Sequence, residues 1–157
     1  MHDEGNYGEF YNFTYPSLLS FPINKFPTET KVFDNLRWDS QASINGVNQY
    51  INTWNKLRCY DDYQNTDYQD LIVSGLSTNL KRKERSWKTF IPRNRVLNSS
   101  SQSPDIFNPT NLSSPNNKPF GDRIRDKYMI IDLEYDNTTN ALLTTNNVIC
   151  DIRGSER

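Results

Sequence analysis

The chain is poor in the residues that carry most enzyme chemistry. Its 157 residues include one histidine, His2, and two cysteines, Cys59 and Cys150. A lone histidine beside the N-terminus does not support a Ser-His or Cys-His mechanism, which needs a base held next to its nucleophile. The sequence also has no glycine-rich phosphate loop and no Cys-X-X-Cys motif. We therefore expect a protein that is not an enzyme and that has no catalytic residue, cofactor or metal.

Long apolar runs and a dominant charge are also missing. Hydrophobic residues make up 34% of the chain, and no stretch approaches the roughly 18 apolar residues of a membrane span. The acidic start, MHDEGN, does not resemble a signal peptide. The net charge is −1 and both signs are interspersed, so neither a membrane surface nor a specific nucleic acid is expected as a partner.

Aromatic residues are abundant instead. Tyr, Phe and Trp make up 13% of the chain, and they favour pleated sheets and protein interfaces over helical bundles. Alternating patterns predict strands at residues 50–60 and 129–135, although the first pattern leaves the buried face open. A turn at 136–140 is predicted to fold the second strand back onto 141–150 as a hairpin. The predicted fold class is mainly β, an antiparallel β-sandwich or barrel-like domain.

Shorter segments predict further strands and turns. Residues 28–41 predict a strand interrupted at Asp34-Asn35 by a bulge or turn, and Asn45-Gly46 is a strong turn signal. Leu71-Ile72-Val73 predicts a short strand. The basic segment at 80–92 predicts one exposed strand whose long charged side chains protect an edge, which we favour over contact with nucleic acid.

The domain organisation follows from composition. Residues 1–27 are rich in aromatics and prolines and predict an extended arm, which packs either on its own domain or on a neighbouring subunit. Residues 28–157 form the β domain. Within it, residues 97–119 are rich in Ser, Asn and Pro and predict a long loop.

Two further patterns have competing interpretations. The carboxylates at Asp61, Asp62, Asp67 and Asp70 suggest a calcium loop or a glycosidase pair, but the calcium-loop spacing is missing and nothing sets one carboxylate apart. A solvated turn is therefore expected. Cys59 and Cys150 are predicted to be buried thiols in strands, in preference to a disulfide.

Four segments carry a family resemblance. In chain order they are TKVFDNLRWDS, LRCYDDYQNT, LKRKERSWKTFIPRN and RIRDKYMIIDLEY, spanning about residues 30–135. They resemble the C-terminal region of the tail muzzle, or stabilization, structural proteins of crAss-like bacteriophages, which are far longer chains. The resemblance implies a virion tail location, several copies around the tail axis, other phage tail structural proteins as partners, and no enzymatic role.

We therefore expect a structural component of a phage tail that acts through subunit contacts. The alternative is a carbohydrate- or receptor-binding β module at the tail tip, with exposed Trp38 or Trp87 stacked on sugars. The candidate interface residues are the aromatics of the arm together with the basic segment and its tryptophan: Phe10, Tyr11, Phe13, Tyr15, Phe21, Phe26, Arg82, Arg85 and Trp87.

Overall fold

The computed structural model describes residues 6–95 and 120–155. The predicted loop at 97–119 and His2 lie outside these residues. The described residues confirm a mainly β, antiparallel fold with twelve strands. In chain order these are β1 (Glu9–Phe10), β2 (Phe13–Thr14), β3 (Ser17–Ile23), β4 (Lys31–Ile44), β5 (Val47–Gln49), β6 (Lys56–Tyr60), β7 (Gln69–Asp70), β8 (Leu80–Lys83), β9 (Ser86–Phe90), β10 (Arg125–Asp126), β11 (Met129–Tyr135) and β12 (Leu142–Gly154).

The longest strand, β4, is the centre of the first sheet. On one side it pairs with β12 from Lys31 to Ser43. On the other side it pairs in turn with β10, β9 and β5, and β8 extends the sheet beyond β9. One side of β4 is thus covered by a single long strand and the other by three short ones.

The second sheet is built around β11. Its strand order is β3-β11-β6-β7. All seven residues of β11 pair with β3, so residues 17–23 of the predicted arm form an edge strand of the domain. The small β1–β2 hairpin precedes this strand.

The two sheets enclose one core. Inward-facing side chains from both sheets are buried together, among them Leu36 and Trp38 of β4 and Ile131 and Leu133 of β11. Trp38 stands opposite the equally buried Trp87 across β4 and β9. The Trp38 indole N–H donates a hydrogen bond of 2.8 Å to the Thr53 hydroxyl, so its polar atom is satisfied inside the core.

Within residues 6–95 and 120–155, chain connections close one side of this sandwich and not the other. Asn79 Nδ2 donates to the Asp70 carbonyl over 2.7 Å, and Leu80 N donates to the Ile72 carbonyl over 3.1 Å. These bonds bring β7 and β8 together at one side. The strand orders therefore place β3 and β12 at the opposite side, which we call the open side.

Two local sequence signals are confirmed. Asn45 and Gly46 have φ of +49° and +78° and form a two-residue turn between β4 and β5, as the Asn-Gly pair predicts. The interruption at Asp34-Asn35 is a bulge within a continuous strand. Phe33 pairs with Ile152 and Asn35 pairs with Asp151, so Asp34 is the extra residue.

The strand predicted at 50–60 is wrong in its first half. β6 begins at Lys56, and Ile51 is 74% exposed. Residues 50–55 cross from one sheet to the other, and Thr53 and Trp54 on this crossing bond to the first sheet. Such a crossing has strand-like alternation but no strand to pair with.

Two other strand predictions are corrected in the same region. Leu71–Val73 is a connection between β7 and β8, since it crosses between sheets as well. The basic segment is a tight hairpin and not one strand: Lys83 pairs with Ser86, and Glu84 adopts φ of +59° in the turn. No glycine or asparagine marks this turn, so it has little local sequence signal.

The predicted hairpin of 129–135 with 141–150 is also wrong. β11 already has β3 and β6 on its two sides, so β12 cannot pair with it in that sheet. Instead, the turn at 136–140 carries the chain to the first sheet, where β12 pairs with β4. Strand order cannot be read from local alternation.

A buried cation fixes the start of β4. The Lys31 side chain is buried, and its ammonium group donates to the carbonyls of Phe26, Glu29 and Lys127. Burial lowers the pKa of Lys31, while Glu29 and Asp126 partly oppose this shift. These bonds tie three segments at one end of the sandwich.

A buried ion pair joins three neighbouring strands of the second sheet. Asp132 of β11 is 2% exposed. It accepts bonds of 2.9 and 2.5 Å from the Arg58 guanidinium of β6 and one of 2.6 Å from the Ser20 hydroxyl of β3. The guanidinium in turn lies over the rings of Tyr60 and Tyr68, at 4.7 and 4.8 Å.

This pair predicts a large loss of stability when one partner is removed. Asp132→Ala should lower the free energy of unfolding by about 3 kcal/mol, because it removes the buried carboxylate to which the Arg58 guanidinium and the Ser20 hydroxyl donate. Glu134→Ala is the matched control two residues along β11, where the pair with the half-exposed Lys56 should contribute less than about 1 kcal/mol. Urea unfolding followed by tryptophan fluorescence measures both losses, and equal losses would contradict the prediction.

Candidate assembly interface and polar cleft

The β1–β2 hairpin presents a group of aromatic rings at its surface. Glu9 pairs with Thr14 and Phe10 pairs with Phe13, so the turn consists of Tyr11 and Asn12 alone. Both turn residues have positive φ, +50° and +65°. A two-residue turn of this handedness matches the twist of the strands that it joins.

The rings of this hairpin are largely exposed. Phe10 and Phe13 are 65% and 66% exposed, and Tyr11 at the tip is 95% exposed. Phe10 also lies against Tyr15, with ring centroids 6.4 Å apart. We call Phe10, Tyr11, Phe13 and Tyr15 the aromatic hairpin patch. Contiguous exposed apolar surface of this kind is typical of interaction sites.

The connection between β11 and β12 holds the hairpin in place. The buried Asn137 donates its amide to the carbonyl of Tyr15 over 2.6 Å, and Asn140 accepts a bond of 2.7 Å from Tyr7 N. Gly8 has φ of +75°, and a side chain there would collide with the Asn137 amide. The patch is therefore carried by a fixed element of the domain.

The structure separates the other predicted interface residues from this patch. Phe21 of β3 is half-buried against the core, and Phe26 is exposed in the connection to β4. Arg82 and Arg85 are exposed on the β8–β9 hairpin of the first sheet. Trp87 is 1% exposed, so its ring lies in the core and not at the surface.

The β8–β9 hairpin borders a polar cleft that the sequence did not predict. β9 pairs with β4 as far as Asp39, and β5 pairs with it from Ala42, so Ser40 and Gln41 lie in a gap between the two strands. The cleft above this gap has a volume of about 750 Å³. Tyr50 and Arg82 are among its lining residues.

The walls of the cleft carry an aromatic ring, charges and several amides. The Tyr50 ring is 65% exposed, and the Arg82 guanidinium lies 5.5 Å from its centroid and 5.4 Å from that of Trp87. Gln41 donates its amide to the side chain of Asn48 over 2.5 Å. The tryptophans expected to stack on sugars, Trp38 and Trp87, are both buried, which corrects that expectation.

The acidic turn is not the solvated turn that was expected. Asp61 is 2% exposed, and its Oδ1 accepts bonds of 2.7 Å from both Tyr63 N and Gln64 N, while its Oδ2 has no hydrogen-bond partner in the described part of the chain. Burial is the main reason that the pKa of Asp61 rises to about 7. Asp62 is exposed and accepts a bond of 2.5 Å from the Tyr128 hydroxyl. No cluster that could hold a metal occurs among residues 6–95 and 120–155.

Both cysteines are free thiols. Cys59 is buried, and Cys150 of β12 is half-buried. Burial raises the pKa of Cys59 well above its ordinary value and that of Cys150 to about 12. Because the thiolate is the reactive form, these groups are poor nucleophiles. No helix in the described part of the chain is long and apolar enough to cross a membrane.

Comparison with known proteins gives one family. The model of the Crassvirus muzzle protein C-terminal domain matches residues 5–94. This range includes the aromatic hairpin patch and most of the cleft, while the segment RIRDKYMIIDLEY lies beyond it. No curated protein matches the chain.

The buried Asp61 carboxyl predicts that stability falls as pH rises. Its pKa is raised from 3.8 to about 7, so between these values the folded state keeps a proton that the unfolded state has released. The associated stability is present below about pH 4 and is lost as the pH passes about 7, at up to about 1.4 kcal/mol per pH unit. Asp61→Asn should flatten the pH dependence measured by urea unfolding. Asp70→Asn, which removes an exposed carboxylate on β7, is the control variant; an unchanged slope in Asp61→Asn would contradict the assignment.

Proposed function

Since the chain belongs to the Crassvirus muzzle protein C-terminal domain family, whose members are structural components of the virion tail, we propose that it acts through subunit contacts made by its aromatic hairpin patch. Its partners are other tail structural proteins and further copies of the chain around the tail axis. The exposed Phe26 on the connection to β4 is a secondary contact.

The observation that carries this proposal is the exposure of rings on a fixed element. A mobile chain segment would lose conformational entropy on binding, whereas a hairpin that is already held against its domain has lost that entropy on folding. Asn137 and Asn140 hold this hairpin against the domain, so its rings are presented in one arrangement. Large rings covered by a partner contribute apolar burial at little further entropic cost.

The backbone conformation of Tyr11 also supports a role for its ring in subunit contacts. A tyrosine with φ of +50° is uncommon, and left-handed conformations cost a non-glycine residue roughly 1–2 kcal/mol. The ring packs on nothing in the described chain, since it is 95% exposed. Asparagine or glycine would fit this position at lower cost, so the ring itself is the reason to keep a tyrosine there.

Removing the patch should prevent assembly without unfolding the domain. Phe10→Ser with Phe13→Ser removes two exposed rings, so the free energy of unfolding should change by less than about 1 kcal/mol. Incorporation of the variant into tail particles, measured by mass spectrometry of purified particles, should fall at least about tenfold if these rings anchor the contact.

A control variant separates the patch from general surface hydrophobicity. Phe90 of β9 is 69% exposed and lies outside the aromatic hairpin patch, so the Phe90→Ser variant should be incorporated normally. Asn137→Ala keeps every ring but removes the clamp, and should reduce incorporation by an intermediate amount. Normal incorporation of the double serine variant would refute the proposed contact.

The polar cleft favours a second candidate function, the binding of a carbohydrate. Sugars are bound by aromatic rings that stack on their apolar faces and by planar amide and charged side chains that bond to their hydroxyls. The cleft combines the exposed Tyr50 ring with Arg82 and with the amides of Gln41 and Asn48. Its volume is in the range that accommodates a small oligosaccharide.

The carbohydrate candidate predicts saturable binding that depends on Tyr50. Binding to a glycan array should weaken at least about tenfold in Tyr50→Ala, because stacking on the ring is lost. Tyr7→Ala is the matched control, since Tyr7 is 50% exposed but lies at the hairpin. An array without binding, or equal losses in both variants, would count against this second function.

A further inference from the structure

The outer edge of β12 is the longest unpaired strand edge in the described part of the chain. β12 has 13 residues and pairs with β4 along one side only. No strand within residues 6–95 or 120–155 pairs with its other side. A strand edge exposes a row of backbone donors and acceptors, which can pair with a strand of another chain.

The core is incompletely covered along the same side. The inward-facing apolar side chains of β3 and β12 contact the core but are only half-buried. They are Leu19, Phe21 and Ile23 of β3 and Leu143, Val148, Cys150 and Ile152 of β12. By contrast, the core residues of the central strands β4 and β11 are fully buried. Among the described residues, the open side therefore lacks apolar cover as well as hydrogen-bond partners.

The other described edges are better protected than that of β12, whose pairing with β4 is interrupted by one extra residue, Asn146. β8, at the edge of the same sheet, carries exposed Lys81, Arg82 and Lys83, and β7 has only two residues. Charged or very short edge strands resist pairing with other chains. β12 is long and contains no proline, whereas Pro22 removes one donor from β3. Backbone pairing at the open side is thus available mainly through β12.

The charges of β12 are neutralised within the chain. Asp151 pairs with Arg37 at 2.8 Å, and Arg153 pairs with Asp34 at 2.9 Å. β3, SLLSFPI, has no charged residue at all. The open side therefore has no net charge that would attract a charged partner. The occupant that fits it is an uncharged, partly apolar strand edge.

We infer that the open side binds the open side of a second copy of this chain, with β12 pairing antiparallel to the β12 of that copy. A two-fold axis perpendicular to the sheets brings identical strand edges together in opposite directions, so that every contact occurs twice. The first sheet then continues from one copy into the next. The half-buried strip of each copy is covered by the matching strip of the other.

The area of the open side is sufficient for such a pair. At about 3.3 Å per residue, the 13-residue β12 extends about 40 Å and the seven-residue β3 about 23 Å, and each sheet with its side chains contributes about 10 Å of depth. Together they present about 630 Å² per copy, which lies within the roughly 600–1,000 Å² that a standard stable interface buries on each partner.

Hydrogen exchange on the full chain tests this inference without any substitution. Backbone amides of residues 142–154 should become more protected as the concentration rises from micromolar to millimolar, in step with dimer formation in analytical ultracentrifugation. A chain that stays monomeric throughout, or a dimer whose new protection lies outside β12 and β3, would overturn the inference.

Substitution at two exposed positions of β12 provides a second test. Ile149 is 42% exposed, and Ile149→Lys with Thr144→Lys places lysines along both paired edges. The dimer dissociation constant should rise about tenfold or more through like-charge repulsion, while Ile149→Thr, uncharged and suited to strands, should leave it nearly unchanged. Equal dissociation constants for the lysine and threonine variants would overturn the inference.

This contact can be distinguished from the one proposed for the aromatic hairpin patch. The Phe10→Ser, Phe13→Ser variant should retain the β12 dimer, because its substitutions lie outside the open side. Loss of the dimer in that variant, with β12 unprotected, would assign the association to the hairpin and refute pairing through β12.

Discussion

Backbone pairing along both sides of β4 is the constraint on which the rest of the structure depends. A strand of 14 residues is more than twice the usual length, and it cannot be covered evenly by the short strands around it. On one side, β9 and β5 leave a gap at Ser40 and Gln41, and the polar cleft lies above that gap. On the other side, β12 runs almost the full length of β4 and leaves its own outer edge unpaired. The cleft and the unpaired edge are thus two consequences of one long central strand.

Local features of this fold could be predicted from the sequence, whereas strand partners could not. The alternation in Met129–Tyr135, the Asn-Gly turn and the interruption at Asp34 are each encoded within a few neighbouring residues. Alternation indicates that a strand has two faces, but it does not indicate which strands lie beside it. The segment of β12 was therefore predicted to pair with β11, whereas it pairs with β4. The strand prediction at 50–55 failed for a similar reason, because Thr53 and Trp54 are buried through contacts with residues distant in sequence.

The same distinction applies to the candidate surfaces, since some of them could be predicted from local sequence and others could not. The exposed rings of the hairpin were predicted as interface residues because a disordered segment would be poor in aromatics, and an extended arm that packs its rings on another surface fits better. Trp87 was included for its basic neighbours, but the tight turn at Glu84 places it opposite Trp38 in the core. The cleft gave no sequence signal, since it arises from the space between two strands that flank β4.

The distribution of charge explains how such a chain avoids indiscriminate association. Lysines and an arginine occupy the β8 edge, while the ion pairs beside β12 and the buried pair of Asp132 with Arg58 are satisfied within the chain. The open side therefore exposes unpaired backbone groups, and the β1–β2 hairpin exposes aromatic rings, rather than unpaired charges. Contacts of this kind are screened little by salt, whereas repulsion between exposed charges at the other edges falls as salt rises. Selectivity for the proposed contacts then comes from shape and strand pairing, and the charged edges limit where else two copies can meet.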